Sequence, residues 1–220
     1  MKTSHDVLLF DLDGTLSDPL VGIGRSINYA LSHFGYPELP LSQLAVHVGP
    51  PLDQAFSSIT GLRSSSALDG FVAKYRERYG EIGYSENVLY PGIAEVLQSL
   101  ASVGIPLGVC TSKRVDFAEK ILARFGLSSC FSFVCGGEIG TPKWQQIRDL
   151  LEKGAVSQST VMIGDRDVDM SAAHRNGLPA AGVLWGYGTR QELEAEQPRY
   201  LFSTPQELLG LAGLNSKLRN

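Results

Sequence analysis

Short runs of apolar residues recur along the chain, and each run is followed by small or polar residues. The runs are continuous rather than alternating, which is typical of parallel strands covered on both faces of a sheet. The sequence therefore predicts five strands, at residues 7–10, 106–110, 131–135, 160–163 and 180–185.

Amphipathic segments separate several of these strands. Residues 92–104 and 114–126 place apolar side chains at helical spacing, and each segment ends in glycine, a common helix stop. The capping-box pattern Thr-x-x-Glu at residues 189–192 and 204–207 indicates two further helix starts. Alternating strands and helices predict an α/β fold with a doubly wound parallel sheet.

The segment between the first and second predicted strands is roughly 70 residues longer than one strand–helix repeat requires. This surplus is also helical, with amphipathic periodicity in residues 20–34, 52–59 and 67–79. Because it follows the first strand's C-terminal end, where ligands of open α/β sheets bind, it is expected to act as a lid. The predicted domains are an α/β core of residues 1–15 and 88–220 and a helical cap of residues 16–87.

Composition excludes several classes of protein. The 220 residues are 43% hydrophobic and 19% charged, as in ordinary globular proteins. A net charge of −4 gives no basic surface for nucleic acid or an anionic membrane. No apolar run approaches the roughly 18 residues of a membrane span, and no signal-peptide pattern is present. Cys110, Cys130 and Cys135 are interpreted as buried free thiols, which are typical of a reducing compartment, so we expect a cytoplasmic protein. We expect a monomer or a small homo-oligomer.

Paired carboxylates follow the first predicted strand, in the sequence Phe-Asp-Leu-Asp-Gly-Thr of residues 10–15. Residues two apart on an extended chain point the same way, so Asp11 and Asp13 are expected to leave the sheet edge together. Such carboxylates repel each other unless a cation neutralises them or one is protonated. Asp and Gly also form ordinary turns after strands, so the pair is a candidate site that needs further support.

A second acidic cluster follows the fourth predicted strand. Asp165 stands at the strand end, and Asp169 shares a face with it if a helix begins there. Asp167 is expected to point elsewhere, towards solvent or the helix start. Oxygen ligands from two strand ends suit Mg²⁺, which binds one or two carboxylates, waters and a phosphate oxygen.

Cations occur at two predicted helix starts, where the helix macrodipole disfavours them. Lys143 follows a Thr-Pro pair in the first turn of one helix, and Thr111-Ser112 precedes Lys-Arg at the other. An anion held between these cations and free backbone N–H groups would relieve the repulsion. The pattern therefore predicts a phosphate site formed by Thr111, Ser112 and Lys143.

Taken in order, these motifs resemble those of the haloacid-dehalogenase superfamily. DLDGT, Thr-Ser after the second strand, a lysine and GDRDVD cover nearly the whole chain. The chain also resembles a subgroup, the phosphoglycolate phosphatases and bacterial 5′-nucleotidases with a helical cap. In one departure from the family, Pro142 precedes Lys143 instead of following it. We still prefer Lys143 to Lys153, which lies near the far end of the same predicted helix.

The resemblance implies hydrolysis of a small phosphorylated metabolite through an aspartyl-phosphate. Asp11 would be the nucleophile. Asp13 would donate a proton to the leaving oxygen and then take one from the hydrolytic water. Thr111 would hydrogen-bond the phosphoryl group, and Lys143 would balance its charge.

The resemblance also implies Mg²⁺ as the cofactor. Asp165 would bind the ion together with Asp11 and the main-chain carbonyl of Asp13, while Asp169 would orient Lys143 or a metal-bound water. The metal would allow an anionic nucleophile to approach an anionic substrate.

Other activities are compatible with parts of this pattern. A hydrolytic dehalogenase needs no metal and typically lacks an acid at the position of Asp13, and a β-phosphoglucomutase-type phosphomutase shares all four motifs. A signalling receiver domain is disfavoured, because the third predicted strand ends without an acid. Phosphoglycolate, nucleoside monophosphates, sugar phosphates and pyrophosphate remain open as substrates. Arg25, Gly49 and Pro50 of the predicted cap are candidate specificity residues.

Overall fold

The computed structural model describes residues 5–137 and 141–214. The chain forms two compact units. One contains the residues up to Ser17 and from Leu89 onward, and the other is the helical unit Asp18–Val88. No helix among the described residues combines the length and the apolar character that crossing a membrane requires.

Six strands of the first unit form one parallel sheet in the order β5-β4-β1-β6-β7-β8. The described strands are β1 (Leu8–Phe10), β2 (Ser17–Asp18), β3 (Val88–Leu89), β4 (Leu107–Cys110), β5 (Phe133–Cys135), β6 (Val161–Gly164), β7 (Ala180–Val183) and β8 (Tyr200–Phe202). The predicted doubly wound α/β fold is confirmed.

Helices account for most of the remaining chain. The α-helices of the described residues are α1 (Leu20–His33), α2 (Leu41–Leu44), α3 (Leu52–Thr60), α4 (Ser65–Glu81), α5 (Ile93–Ser102), α6 (Val115–Arg124), α7 (Lys143–Glu152), α8 (Asp167–Arg175) and α9 (Arg190–Ala195). Short 3₁₀ helices lie at Ala45–His47, Gly83–Glu86, Ser128–Cys130 and Pro205–Ala212.

Strand β1 lies in the middle of the sheet, and all three of its side chains are buried. On one face, Leu9 and Met162 belong to a buried cluster with Ile147 of α7 and Met170 of α8. Leu8 and Phe10 alternate to the opposite face, as the two-residue period of a strand requires. Because both faces of β1 are covered, the strand is apolar at every position. A continuous apolar run therefore predicted this strand correctly.

The helical unit is organised by packing of α1 against α4. Phe71 of α4 contacts Phe34, Tyr36 and Phe56, with ring centroids 4.4–5.5 Å apart. Burying large aromatic side chains provides much of the free energy of a small core. Helices were predicted at 20–34, 52–59 and 67–79, and all three are confirmed as α1, α3 and α4.

Some predicted details differ from the structure. A helix begins at residues 204–207, as predicted, but it is a 3₁₀ helix, and Thr204 Oγ1 bonds the Glu207 carboxylate instead of a backbone N–H. Strand β8 was not predicted, because three residues are too few to show a pattern. Cys130 and Cys135 are only half-buried, although Cys110 is buried and all three thiols are free, as predicted. At residues 189–192, by contrast, Thr189 accepts a hydrogen bond from Glu192 N, so that capping prediction is confirmed.

Candidate active site

Three strands deliver the site residues to one edge of the sheet. Phe10 at the end of β1 is in register with Val109 of β4 and Ile163 of β6. Chain segments that leave these parallel strands therefore emerge side by side at their carboxyl ends. This register explains why acids and a threonine that are distant in sequence meet at one place.

The first acidic pair leaves β1 on a tight turn. Asp11 N donates to Ile163 O at 2.9 Å, and the Asp11 side chain is 11% exposed. Gly14 then turns the chain with a φ of +84°, and its N–H donates to Ser17 O. A Cβ at this glycine would lie 2.2 Å from Asp165 Oδ2, so only glycine lets the turn approach that carboxylate.

Asp165 follows β6 and is completely buried. Its Oδ1 accepts a hydrogen bond from Thr15 Oγ1 at 3.1 Å, and its Oδ2 accepts one from Tyr187 N at 2.8 Å. Burial is the main cause that raises the pKa of Asp165 from 3.8 to about 7, and the charges of Asp169 and Asp11 act in the same direction. These conditions store electrostatic repulsion that a bound cation would relieve.

Asp169 lies in the first turn of α8 and is also completely buried. Its Oδ2 accepts a hydrogen bond from Arg166 N at 3.1 Å, which caps the helix, and its Oδ1 accepts one from Lys143 Nζ. Burial raises its pKa and Lys143 opposes that effect. Asp167 is exposed and accepts a bond from Val168 N, as expected of a helix-start residue.

Asp11, Asp165 and Asp169 together form the carboxylate cluster. Each contributes one oxygen atom, and these atoms lie within 4.8 Å of one another. Asp11 Oδ1 is buried and lies 3.0 Å from Lys143 Nζ in an ion pair, without a hydrogen bond from the described residues. Three buried carboxylates that one lysine does not neutralise fit a hard divalent cation such as Mg²⁺. The main-chain carbonyl of Asp13, which was predicted as a ligand, belongs to the turn that follows Asp11 after β1.

Lys143 supplies the positive charge closest to this cluster. It is the first residue of α7, its side chain is 2% exposed, and Nζ lies 3.0 Å from Asp11 Oδ1. Burial opposes its charge, but the carboxylates of Asp11 and Asp169 prevail and raise the pKa of Lys143 above its ordinary range. Lys153 is the C-cap at the other end of α7 and is exposed. The structure thus brings Lys143, not Lys153, into contact with the acidic residues.

Thr111 follows β4 and is 2% exposed. Its N–H donates to Cys135 O at 3.0 Å, and its carbonyl accepts a bond from Gln146 Nε2 at 3.3 Å. Its hydroxyl accepts a bond from Lys113 N at 3.3 Å. Ser112 is exposed. The backbone around Thr111 is therefore fixed, which would hold its hydroxyl in place for a ligand.

Two contacts of the site were not predicted from the sequence. Lys113 Nζ lies 2.8 Å from Asp13 Oδ2, in an ion pair whose side chains are 8% and 18% exposed. Thr15, the last residue of the DLDGT motif, donates to Asp165. Both residues belong to motifs that were recognised, but their side-chain directions depend on turns and follow no sequence period.

A glycine-containing loop packs closely on the cluster from the C-terminal part of the chain. A Cβ at Gly186 would lie 2.4 Å from Asp165 Cβ, and a Cβ at Gly188 would lie 1.9 Å from Asp165 O. Trp185 Nε1 donates to Thr15 O at 3.0 Å. No role in the site was predicted for this Gly-Tyr-Gly segment of residues 186–188. In the structure it holds Asp165 through the backbone of Tyr187.

The candidate specificity residues lie in the helical unit. Arg25 donates to Glu86 Oε1 at 2.7 Å, and Arg78 bonds the same carboxylate through both terminal nitrogens. Gly49 has a φ of +102° and precedes Pro50 in a loop between helices. The role of Arg25, Gly49 and Pro50 in substrate selection stays a prediction.

Comparisons with known proteins agree with this geometry. The profile of the haloacid dehalogenase-like hydrolases matches residues 8–183. A 5′-nucleotidase of Pseudomonas aeruginosa is 41% identical over 197 residues, which cover 88% of this chain and 89% of that protein. Tyrosine-protein kinase PtkA of Mycobacterium tuberculosis is 36% identical over 84% of this chain and 64% of its own length.

More distant matches cover almost the whole chain. A phosphoglycolate phosphatase of Yersinia pestis is 29% identical over 94% of this chain and 93% of that protein. The solved structure of a haloacid dehalogenase-like family hydrolase from Streptococcus pneumoniae matches with a TM-score of 0.87 and 29% identity, covering 95% of this chain and 99% of its own. The chain belongs to the haloacid dehalogenase-like hydrolases, and it is a phosphoric monoester hydrolase of that family.

Proposed function

We propose that this phosphatase hydrolyses a small phosphomonoester with Mg²⁺ and through an aspartyl-phosphate on Asp11. The observation that carries the proposal is the buried carboxylate cluster with Lys143 in contact with two of its members. Negative charges gathered in this way suit a cation, and a cation beside a nucleophilic carboxylate suits a phosphate.

In this proposal, Asp11, Asp165 and the main-chain carbonyl of Asp13 hold Mg²⁺. When bound, the ion offsets the repulsion between the carboxylates and the phosphate oxygens. Asp169 keeps Lys143 in position through their direct hydrogen bond. Haloacid dehalogenase-like phosphatases generally use a divalent metal, and the acidic cluster supports the same requirement here.

The reaction then proceeds in two displacements. A carboxylate oxygen of Asp11 attacks phosphorus, the bond to the leaving oxygen breaks, and Asp13 gives that oxygen a proton. Water next attacks the phosphorus of the aspartyl-phosphate and gives a proton to Asp13, the bond from phosphorus to the Asp11 oxygen breaks, and inorganic phosphate leaves with the Asp11 carboxylate restored. Thr111, Ser112 and Lys143 bind the phosphoryl oxygens, so the work of the protein is mainly positioning and charge stabilisation.

We infer that the helical unit is a cap over this site and that residues within it select the substrate. The substrate is a small phosphorylated metabolite, and a phosphoglycolate-like acid is our first candidate. A nucleoside 5′-monophosphate is the second, because the Pseudomonas aeruginosa relative named 5′-nucleotidase is 41% identical over 88% of this chain. A phosphomutase would retain all the proposed residues. We place the protein in the cytoplasm, without nucleic-acid partners and as a monomer or small homo-oligomer.

The test is a comparison of kcat/KM for phosphoglycolate, nucleoside monophosphates, sugar phosphates and pyrophosphate. EDTA should abolish turnover and added Mg²⁺ should restore it. Asp11→Asn should lower kcat at least about a thousandfold, because the nucleophile is lost. The thermal unfolding midpoint should change little. Full activity of Asp11→Asn, or turnover that survives chelation, would refute the proposed chemistry. Transfer of phosphate between sugar positions without release would instead indicate a mutase.

A further inference from the structure

The two carboxylate oxygens of Asp13 have different surroundings. Oδ2 lies 2.8 Å from Lys113 Nζ. Oδ1 is buried, and within residues 5–137 and 141–214 no group hydrogen-bonds to it. A buried polar atom without a partner is uncommon in native proteins and requires an explanation. Of the two oxygens, Oδ1 is therefore the one left to exchange a proton with a substrate.

Lys113 is held firmly enough to impose this difference. Its N–H donates to Thr111 Oγ1 at 3.3 Å, and its carbonyl accepts a bond from Gly137 N at 2.8 Å. Its side chain is 8% exposed, so the ammonium group is largely removed from solvent. The backbone of Lys113 is therefore held by hydrogen bonds, and its ammonium group is held by the ion pair with Asp13. One of the backbone hydrogen bonds is to Thr111.

A buried ion pair of this kind contributes little net stability. The cost of removing two charges from water offsets most of their attraction, so such a pair is weak evidence of a stabilising role. What the pair does determine is geometry, because an ammonium group on one oxygen restricts rotation of the carboxylate. Lys113 and Thr111 come from the same turn, and that turn thus reaches both the predicted phosphate site and the predicted proton donor.

We propose that Lys113 is a positioning residue that orients the Asp13 carboxyl group for proton transfer. The inference rests on the proposed function of Asp13. The proton resides on Oδ1, because Oδ2 accepts from Lys113. As the bond from phosphorus to the leaving oxygen breaks, this proton moves to that oxygen, and the carboxylate that results is next to the ammonium group. Lys113 itself neither gains nor loses a proton.

The test compares two aryl phosphates of similar shape, phenyl phosphate and p-nitrophenyl phosphate. Phenolate is the poorer leaving group and depends more on protonation. Lys113→Met should therefore lower kcat/KM for phenyl phosphate about tenfold more than for p-nitrophenyl phosphate. Asp13→Asn should show the same bias, and Lys113→Met added to Asp13→Asn should cause little further loss, because both act in one step.

Matched variants distinguish a loss of Asp13 orientation from a general effect on the folded structure. Lys113→Arg keeps a cation and should preserve the wild-type ratio of the two kcat/KM values. Lys120→Met removes an exposed lysine from α6 and should change neither value. If Lys113→Met does not fold, Lys113→Gln gives the same comparison.

The outcomes distinguish this inference from the proposed function. Equal losses on both esters in Lys113→Met, or additive losses in the double variant, would overturn the role of Lys113. If Asp13→Asn shows the bias and the Lys113 variants do not, the proposed function stands and only this inference fails. If Asp13→Asn shows no bias, the role of Asp13 as proton donor is itself wrong, and the inference falls with it.

Discussion

Asp165 links the proposed metal binding to pH. In the metal-free protein its pKa is raised from 3.8 to about 7, mainly by burial, so the folded state holds a proton more tightly than the unfolded state. The stability that this proton contributes is complete below about pH 4 and is lost as the pH rises through about 7. Thermal unfolding in EDTA should therefore have a lower midpoint at about pH 8 than at about pH 5.

Asp165→Asn serves as the control for this pH prediction. The amide cannot ionise, so the variant should show a flatter dependence of the midpoint on pH. Saturating Mg²⁺ should raise the wild-type midpoint more at the higher pH, because the ion binds the deprotonated carboxylate. An identical pH dependence in both proteins would show that Asp165 is not the group responsible.

Gly14 offers a second prediction at the scale of one residue. Gly14→Ala introduces a methyl group 2.2 Å from Asp165 Oδ2 in a backbone with a φ of +84°. Gly104 has a similar φ of +79°, but apart from its two chain neighbours no described residue has an atom within 4 Å of its Cβ position. Gly104→Ala should therefore cost only backbone strain of about 1–2 kcal/mol, and Gly14→Ala roughly 1–3 kcal/mol more through overpacking.

Urea unfolding of the two glycine variants measures this difference directly. Gly14→Ala should also weaken Mg²⁺ binding, because the clash displaces a carboxylate of the cluster. Equal unfolding free energies for the two variants would show that the turn can relax away from Asp165.

The sequence predicted which residues form the site better than it predicted which of their side chains are in contact. Asp11 and Asp165 were chosen from their positions after strands, and Asp169 from its helical spacing to Asp165; the structure does bring the three together. Lys113 was read as part of a cationic helix start, and its contact with Asp13 was not predicted. The difference is physical, since a strand end fixes direction by its two-residue period, whereas a long side chain in a turn can point to several partners.

Helix α7 determines the electrostatic surroundings of Lys143. Its first residue, Lys143, opposes the helix macrodipole, and two buried carboxylates compensate for this. Lys143→Met should therefore lower kcat/KM by about a hundredfold or more, because the preorganised positive charge that we propose for binding the phosphoryl group is lost.

Lys153→Met is the control on the same helix. Lys153 is exposed and caps the opposite end, so its loss should leave kcat/KM within about twofold of wild type. A large effect at Lys153 and a small one at Lys143 would reverse our choice between the two lysines.

Elements were predictable where burial was uniform. The central strands β1, β4 and β6 are buried at every position, and their apolar runs were found to within a residue or two. β8 is half-buried throughout and only three residues long, so no run distinguishes it from a loop. The Thr204 segment shows a different limit, because a capping sequence indicates a turn of helix but not whether that helix is α or 3₁₀.

At the scale of the whole molecule, the chain leaves the α/β unit after Ser17 and returns at Leu89. The two crossing points are close together, since Tyr90 N donates to Leu16 O at 3.1 Å. Replacing residues 18–88 by a short Gly-Ser linker should therefore leave a folded α/β unit that binds Mg²⁺. Its kcat/KM values for different phosphomonoesters should be lower and more alike, because the residues proposed to select the substrate are gone.

Circular dichroism and a thermal melt with and without Mg²⁺ would check the shortened protein. A cooperative transition that Mg²⁺ shifts upward is expected. Substrate preferences unchanged from the full chain would contradict the assignment of specificity to the helical unit. Loss of cooperative unfolding would show instead that the α/β unit depends on its insertion for stability.

The hydrogen bond between Leu16 and Tyr90 has one more consequence, for how freely the insertion can change in length. Its ends are held together by the α/β unit, so the inserted segment is a closed loop whatever its size. The entropy of closing a loop grows only with the logarithm of its length, by about 0.6 kcal/mol for each doubling. Descendants of this chain can therefore gain, lose or exchange helices between these two residues at almost no expense to the fold that carries the carboxylates.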